Sequence, residues 1–255
     1  MLALVRRPHS SLAEGERTYL DRAPIDFARA AMQHAAYVAA LETAGVDVLV
    51  LPALDGFPDA CFVEDVLIAL PEAFIVTRPG AASRRDETAH ILPHLPADRP
   101  VAQLAGGRLD GGDVIVAGRR IFVGASSRTD AEGVAALAAI TGLLGYCIEV
   151  LALGGALHLR TVMTLLGDDT LVVSRGWASE LPHGFQIIDA HAEEPFGANF
   201  LWLGDRALAQ VDAPHTAAQV AVAGFQLVPV DISEFAKAEA GLTCLSVLVP
   251  SAALV

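Results

Sequence analysis

The chain has 255 residues, 53% of them hydrophobic and 18% charged, which excludes a disordered chain and allows a large buried core. Its formal net charge of −13 argues against nucleic acid or an anionic membrane as the main partner, because both need clustered Lys and Arg. The cysteines are Cys61, Cys147 and Cys244, an odd number without metal-site spacing; no disulfide framework or zinc knuckle follows, and a reducing cytoplasm is the simplest home.

The first expected element is a strand over Leu2–Arg6. MLALVRRP has too few apolar residues before its arginines to form a signal-peptide core. Residues 25–44 are amphipathic, with Phe27, Ala31, Val38 and Leu41 near one face, and Gly45 is a natural stop before a strand over Val46–Leu51. Then comes a hairpin starting at Cys61, CFVEDVLIAL-PEA-FIVTRPG. A second, DGGDVIVAG-RR-IFVGASSR, starts at Asp110. Thr129-Asp-Ala-Glu132 reads as a capping box opening a helix that ends near Gly142–Gly145, followed by a strand over Cys147–Leu151. A third hairpin starts at Leu157, LHLRTVMTLLG-DD-TLVVSRG, and a fourth at Ala198, ANFLWLG-DR-ALAQ. A helix over His215–Gly224 and a strand over Phe225–Val230 come next. The fifth segment, TCLSVLVP from Thr243, runs out of chain before its second strand, which the early strand Leu2–Arg6 could supply. The apolar stretch 240–255 is too short for a membrane span, is interrupted by Pro250, and reads as a buried strand.

The units recur roughly every 40 to 50 residues, a period of propellers or solenoid-like arrays. The sequence therefore predicts one α/β domain spanning residues 1–255, built of β-turn-β-α-β units around a shared centre, with no linker. At the mouth of each hairpin stands a chemically loaded residue: Glu64 and Asp65, Asp110 and Asp113, His158, Asn199, and Cys244. If the units ring one axis, these converge. A thiolate is the reactive form of cysteine, and a neighbouring imidazolium lowers its pKa or takes its proton. Carboxylates beside it oppose ionisation unless a cation enters. A guanidinium, planar and always charged, suits paired carboxylates. The pattern points to attack of sulfur on a guanidinium carbon. Cys61 and Cys147, inside apolar strands, read as inert core thiols. The remaining histidines read as structural or surface residues.

Several stretches then carry a resemblance: Pro58-Asp-Ala-Cys-Phe-Val-Glu-Asp65, Thr77-Arg-Pro-Gly-Ala-Ala-Ser-Arg-Arg85, Leu109-Asp-Gly-Gly-Asp113, Phe122-Val-Gly-Ala-Ser-Ser-Arg-Thr-Asp130, Leu157-His-Leu-Arg160, Ala198-Asn199 and Leu242-Thr-Cys244. Spread over nearly the whole chain, they resemble the dimethylarginine dimethylaminohydrolase family, guanidine-modifying enzymes with the five-bladed α/β propeller (pentein) fold. The resemblance implies hydrolysis of N-omega-methylated arginine to citrulline and methylamine or dimethylamine through a covalent thiouronium. Cys244 resembles the nucleophile and His158 the general acid and later base. Asp110 and Asp65 match the carboxylates that hold the guanidinium, and Asp110 also fits the place that orients the histidine. Arg84 and Arg128 resemble the pair that binds the α-carboxylate. Asp59 and the backbone carbonyl of Ala238 correspond to the groups receiving the α-amine, and Glu64 to a residue supporting the pocket. Asp113 follows two glycines and could only hold the turn; Arg85 reads as a solvated residue.

Glu16 falls where the family carries an apolar lid residue, and Ala238-Glu-Ala-Gly241 replaces a more usual Asp-Gly turn. The chemistry requires no metal and no organic cofactor, although a soft divalent metal such as zinc could bind Cys244 and His158 and inhibit. The implied partner is a small-molecule methylated arginine, with no nucleic acid and no membrane, and with a homodimer left open. The rival readings are a deiminase acting on free arginine or another guanidino compound, a non-catalytic guanidino-binding protein, and a structural propeller used for protein contacts.

Overall fold

The structure is a computed structural model that describes residues 1–178 and 180–252. Among the described residues, fifteen strands form five three-stranded sheets. The first contains β1 (Leu2–Arg6) and β2 (Asp47–Leu51), joined through α1 (Phe27–Thr43). The second is β3 (Leu67–Ala69), β4 (Phe74–Val76) and β5 (Val101–Gln103). The third is β6 (Val114–Ala117), β7 (Arg120–Ala125) and β8 (Cys147–Ala152), with α2 (Ala131–Thr141) before β8. After the short α3 (Leu159–Val162) come β9 (Met163–Leu166), β10 (Thr170–Val173) and β11 (Gln186–Asp189). The last is β12 (Leu201–Trp202), β13 (Arg206–Gln210), α4 (Pro214–Val222) and β14 (Gln226–Val230). Following α5 (Ser233–Ala236), β15 (Ser246–Val249) returns to the first sheet, whose order is β15-β1-β2.

Every sheet has the same plan: an antiparallel pair, then a crossover to a parallel third strand. The termini close the ring as expected, because β15 pairs antiparallel to β1 with Leu2 opposite Val249 and Val5 opposite Ser246. Of the apolar stretch 240–255, residues 253–255 lie outside the described residues. No helix among the described residues is long and apolar enough to cross a membrane.

The crossovers differ more than the repeat suggests. The first, third and fifth carry α-helices, α1, α2 and α4, whereas the second carries a 3-10 helix over Ala82–His90 and the fourth shows no helix among the described residues. The third also starts one residue later than the capping-box reading placed it. Asp130, not Thr129, caps α2 by accepting from Gly133 N at 2.9 Å. The Thr129 hydroxyl is drawn inward to Asp113 Oδ2 instead. Cys147 also departs from expectation: it is exposed, at the edge of its sheet, while Cys61 is buried.

Helix α1 shows how the sequence positions the centre. Asp26 caps it by accepting from Arg29 N at 3.1 Å. Its apolar stripe buries Ala30, Tyr37 and Leu41 in a cluster that also contains Phe235, Leu242 and Leu245. Full burial of a large apolar side chain contributes about 1.5–3 kcal/mol. Gly45, at φ +80°, stops the helix in a conformation that side-chain-bearing residues rarely adopt. The Tyr37 hydroxyl reaches the segment around Cys244, donating to Leu242 O at 3.0 Å and sharing a 2.7 Å hydrogen bond with Ser246 Oγ.

Candidate active site

A short helical turn precedes the first strand of four of the sheets, and these turns pack against one another at the centre. Val63–Val66 carries Glu64 and Asp65, and Gly111–Asp113 follows Asp110. His158 stands just before α3, and Thr243–Leu245 carries Cys244. In the remaining sheet Asn199 occupies the corresponding place before β12; its amide donates to Thr243 Oγ1 and Arg160 O, and its carbonyl accepts from Thr243 N. The repeat therefore turns five distant stretches into one site.

Cys244 and His158 line a single pocket of about 30 Å³ together with Asp59, Asp65, Arg84, Arg128, Leu157 and Ala238. Cys244 is half-buried, and its Sγ accepts from Gly241 N at 3.4 Å. Burial raises its thiol pKa well above the ordinary value, and the Glu64 and Asp65 carboxylates push the same way. The imidazole experiences the opposite balance. Burial acts to lower its pKa, but the charge of Asp65, the hydrogen bond to Asp110 and the charge of Asp113 raise it to about 10. His158 Nε2 lies 3.0 Å from Asp110 Oδ2 and 3.8 Å from Asp65 Oδ1. At neutral pH the resting pocket thus holds a thiol and an imidazolium.

The carboxylates play distinct parts. Asp110 is fully buried behind the ring and also accepts from Gly80 N at 2.7 Å. Asp65 would be driven toward its neutral form by burial, but His158 and Arg84 hold its carboxyl below the usual range. Its Oδ1 also accepts from Gly112 N at 3.2 Å. Gly112 is required for this approach: a Cβ there would lie 2.8 Å from Asp65 Oδ1 and 2.9 Å from His158 Nδ1. Asp65, Asp110 and His158 each offer one ligand atom within 4.8 Å of the others, so a divalent cation bound here would draw on these three and not on the sulfur named in the zinc expectation. All three are already paired within the protein.

Several expected binding residues sit differently from one another. Glu64 does not line this pocket. Its carboxylate turns to the far side of the nucleophile segment, accepting from Thr243 Oγ1 at 2.8 Å and facing Arg160 Nε at 3.3 Å beside a neighbouring cavity. Arg84 is buried and turned into the protein: its guanidinium pairs with Asp65, binds Glu87 at 2.9 Å and donates to the carbonyls of Asp59 and Phe62. Most of its donors are therefore committed inside the protein. Arg128 is freer, with Nη2 donating to Thr18 Oγ1 at 2.9 Å. Arg85 stays outside, donating to Pro79 O. Asp59 lines the pocket with its carboxyl pKa raised by burial, and Oδ2 accepts from Glu16 N at 2.8 Å. Glu16 also lines the pocket, and its Oε1 accepts from Ser83 Oγ.

Two supporting residues were underread from sequence. Asp113 is fully buried, accepts from Ser126, Thr129 and Leu159 N, and so fixes the backbone immediately after His158. Burial lifts its carboxyl pKa to about 6, against the lowering effect of His158. The signal was the second Asp of Asp110-Gly-Gly-Asp113. The other is Glu239, whose carboxylate accepts from the N–H groups of Thr18, Tyr19 and Leu20 at 2.6 to 3.0 Å. It sits at φ +63°, the only non-glycine residue with positive φ among those described. Its position in the unusual turn before Cys244 was the available clue.

Five ββαβ-type sheets around a centre holding a thiol, an imidazole and buried carboxylates define a pentein-fold enzyme. The family model described as eukaryotic N,N dimethylarginine dimethylhydrolase matches residues 20–193. The chain is 35% identical to the N(G),N(G)-dimethylarginine dimethylaminohydrolase of Pseudomonas aeruginosa, over 95% of this chain and 97% of that protein. It is 39% identical to the Streptomyces coelicolor protein of the same name, over 96% and 95%. A solved structure of the Pseudomonas aeruginosa enzyme, a cysteine-to-serine variant complexed with citrulline, superposes with TM-score 0.90 at 34% identity, covering 96% of this chain and 98% of that one. The N-terminal domain of ArgZ, a cyanobacterial arginine dihydrolase, superposes with TM-score 0.87 at 17% identity over 99% of both chains, a likeness of fold. The chain belongs to the dimethylarginine dimethylaminohydrolase family, and is a hydrolase.

Proposed function

We propose that the protein, as one domain in the cytoplasm, hydrolyses N-omega-methylated arginine to citrulline and methylamine or dimethylamine, with Cys244 as nucleophile. The observation that carries this reading is the shared pocket of Cys244 and His158, with Asp65 on its wall and Asp110 paired to the ring from behind. The relatives' names and the citrulline complex of the Pseudomonas aeruginosa variant support the substrate class.

The resting thiol cannot attack, because three effects oppose its ionisation: burial, Glu64 and Asp65. A guanidinium entering beside Asp65 supplies the missing positive charge and lowers the thiol pKa, so the thiol proton passes to solvent and substrate creates its own nucleophile. The sulfur then attacks the guanidinium carbon, forming a C–S bond and a tetrahedral adduct. His158, protonated up to about pH 10, gives its proton to the departing amine nitrogen as the C–N bond breaks. The neutral imidazole next takes a proton from water; the hydroxide attacks the thiouronium carbon, the C–S bond breaks, and citrulline leaves with Cys244 restored. Arg128, the freer of the two arginines, receives the α-carboxylate, and Asp59 with Ala238 O the α-amine. Arg84 and Glu64 act by holding Asp65 and the Thr243–Cys244 segment. Asp110 keeps the ring charged and aimed.

Citrulline formation from arginine, monomethylarginine, and asymmetric and symmetric dimethylarginine tests the reading. Turnover of the monomethyl and asymmetric dimethyl compounds in preference to arginine is expected. A preference for arginine would make the protein a deiminase, and activity surviving Cys244→Ser would rule out the covalent route.

A further inference from the structure

A second cavity abuts the catalytic pocket. At about 100 Å³ it is larger than the roughly 30 Å³ pocket of Cys244, and Leu157, Glu239 and Ala240 form a wall common to both. Its lining has three properties not used by the chemistry described above. First, it is aromatic: Trp177 and Phe196 stack with ring centroids 6.2 Å apart and planes at 30°, and Tyr19 also lines it. Tyr19 and Phe196 are 46% and 45% exposed, high values for large apolar side chains. Second, its charge is one-sided: Asp212 and Glu239 line it, and no Lys or Arg is among the described lining residues. Third, it has a polar wall: Gln210, only 9% exposed, and Asn199 line it.

We propose that this cavity is a binding site for a small alkylated organic cation, an alkylammonium group, distinct from the guanidinium position at Cys244. An aromatic wall attracts a cation through the negative faces of its rings, and alkyl groups on nitrogen lower the desolvation cost that a bare ammonium would pay. Asp212 and Glu239 supply the counter-charge, and Gln210 Oε1 accepts a hydrogen bond from an N–H or O–H of the guest. The wall shared through Leu157 and Ala240 places this guest next to the centre at which an amine would be released, without requiring that it be the product.

The test uses the intact protein with choline as the cationic probe and 3,3-dimethylbutan-1-ol as its neutral isostere, followed through the two indole N–H signals of Trp177 and Trp202 by NMR. Choline is expected to move the Trp177 signal and leave that of Trp202, and to bind about tenfold more tightly than the alcohol. Asp212→Asn, at an exposed site that leaves folding intact, should remove much of that preference, and Phe196→Ala should weaken both probes. Alkylation of Cys244 should leave choline binding in place. Equal binding of choline and the alcohol, an unmoved Trp177 signal, or loss of binding on Cys244 alkylation would each overturn the proposal. The last would assign the cation to the catalytic pocket, and because citrulline formation is measured separately, it leaves the hydrolase reading standing or falling by itself.

Discussion

His158 Nε2 lies 3.0 Å from Asp110 Oδ2, and that contact joins the start of the fourth sheet to the start of the third. The hydrogen bond and the Asp65 charge together keep the imidazole protonated up to about pH 10. Asp110→Asn retains the shape and removes a charge. The imidazolium pKa should fall, moving the alkaline limb of the kcat–pH profile toward neutral pH. At pH 8, kcat should drop, by up to the roughly 100- to 10,000-fold that a positioned general acid contributes. An unshifted alkaline limb would show that Asp110 does not set the charge of the ring.

Stability should follow the same groups. The folded-state pKa of His158 is raised from 6.5 to about 10, so its contribution is fully present below pH 6.5 and fades as pH rises toward 10. Asp113 has a folded pKa raised from 3.8 to about 6, so its ionisation also weakens the fold as pH rises through that interval. Thermal unfolding between pH 4 and 10 should therefore show a falling Tm with two components. Asp113→Asn should remove the lower one and His158→Asn the upper. A Tm independent of pH in both windows contradicts the burial that defines the site.

The thiol offers a third measurement. Glu64 is the first charge, after burial itself, opposing ionisation of Cys244, although it touches Thr243 and not the sulfur. Glu64→Gln keeps a hydrogen-bond acceptor for Thr243 while removing the charge. Alkylation of Cys244 at fixed pH should become about tenfold faster as the thiol pKa falls. The assay belongs in a Cys147→Ser background, because Cys147 is exposed and would react first. No acceleration would mean that Glu64 is already neutral in the resting protein.

Much of this was legible because the repeat aligns chemistry with topology. TCLSVLVP lacked a partner strand and Leu2–Arg6 lacked a hairpin mate; pairing of β1 with β15 satisfies both. Cys244, His158 and the aspartates fell at equivalent hairpin mouths, so one axis brought them together. What was hidden depends on side-chain direction and on blade edges. Glu64 and Asp65 are adjacent, and consecutive residues of a tight turn must point apart; one faces the pocket and the other Arg160. Cys147 sits in an apolar strand, but at a sheet edge, where burial depends on what lies beyond the strand. Arg84 reads from sequence as a free ligand for the α-carboxylate because the partners that occupy it, Asp65 and the carbonyls of Asp59 and Phe62, come from a different segment.

Glu239 sets up the final prediction. Its carboxylate gathers three successive N–H groups of residues 18–20, tying the segment over the pocket to the turn that leads into Cys244. The left-handed backbone at φ +63° costs a non-glycine residue roughly 1 kcal/mol, which the captured amides must offset. Glu239→Gly should therefore separate two effects. It relieves the backbone, so Tm should hold or rise slightly, while it frees the 18–20 segment, so substrate binding should weaken. KM is expected to rise about three- to tenfold with kcat changed less than twofold, because neither Cys244 nor His158 loses a partner. Glu239→Gln, which keeps one acceptor oxygen in place, should recover part of the lost affinity. If Glu239→Gly lowers kcat and leaves KM untouched, the residue acts on the nucleophile turn and the segment needs no latch.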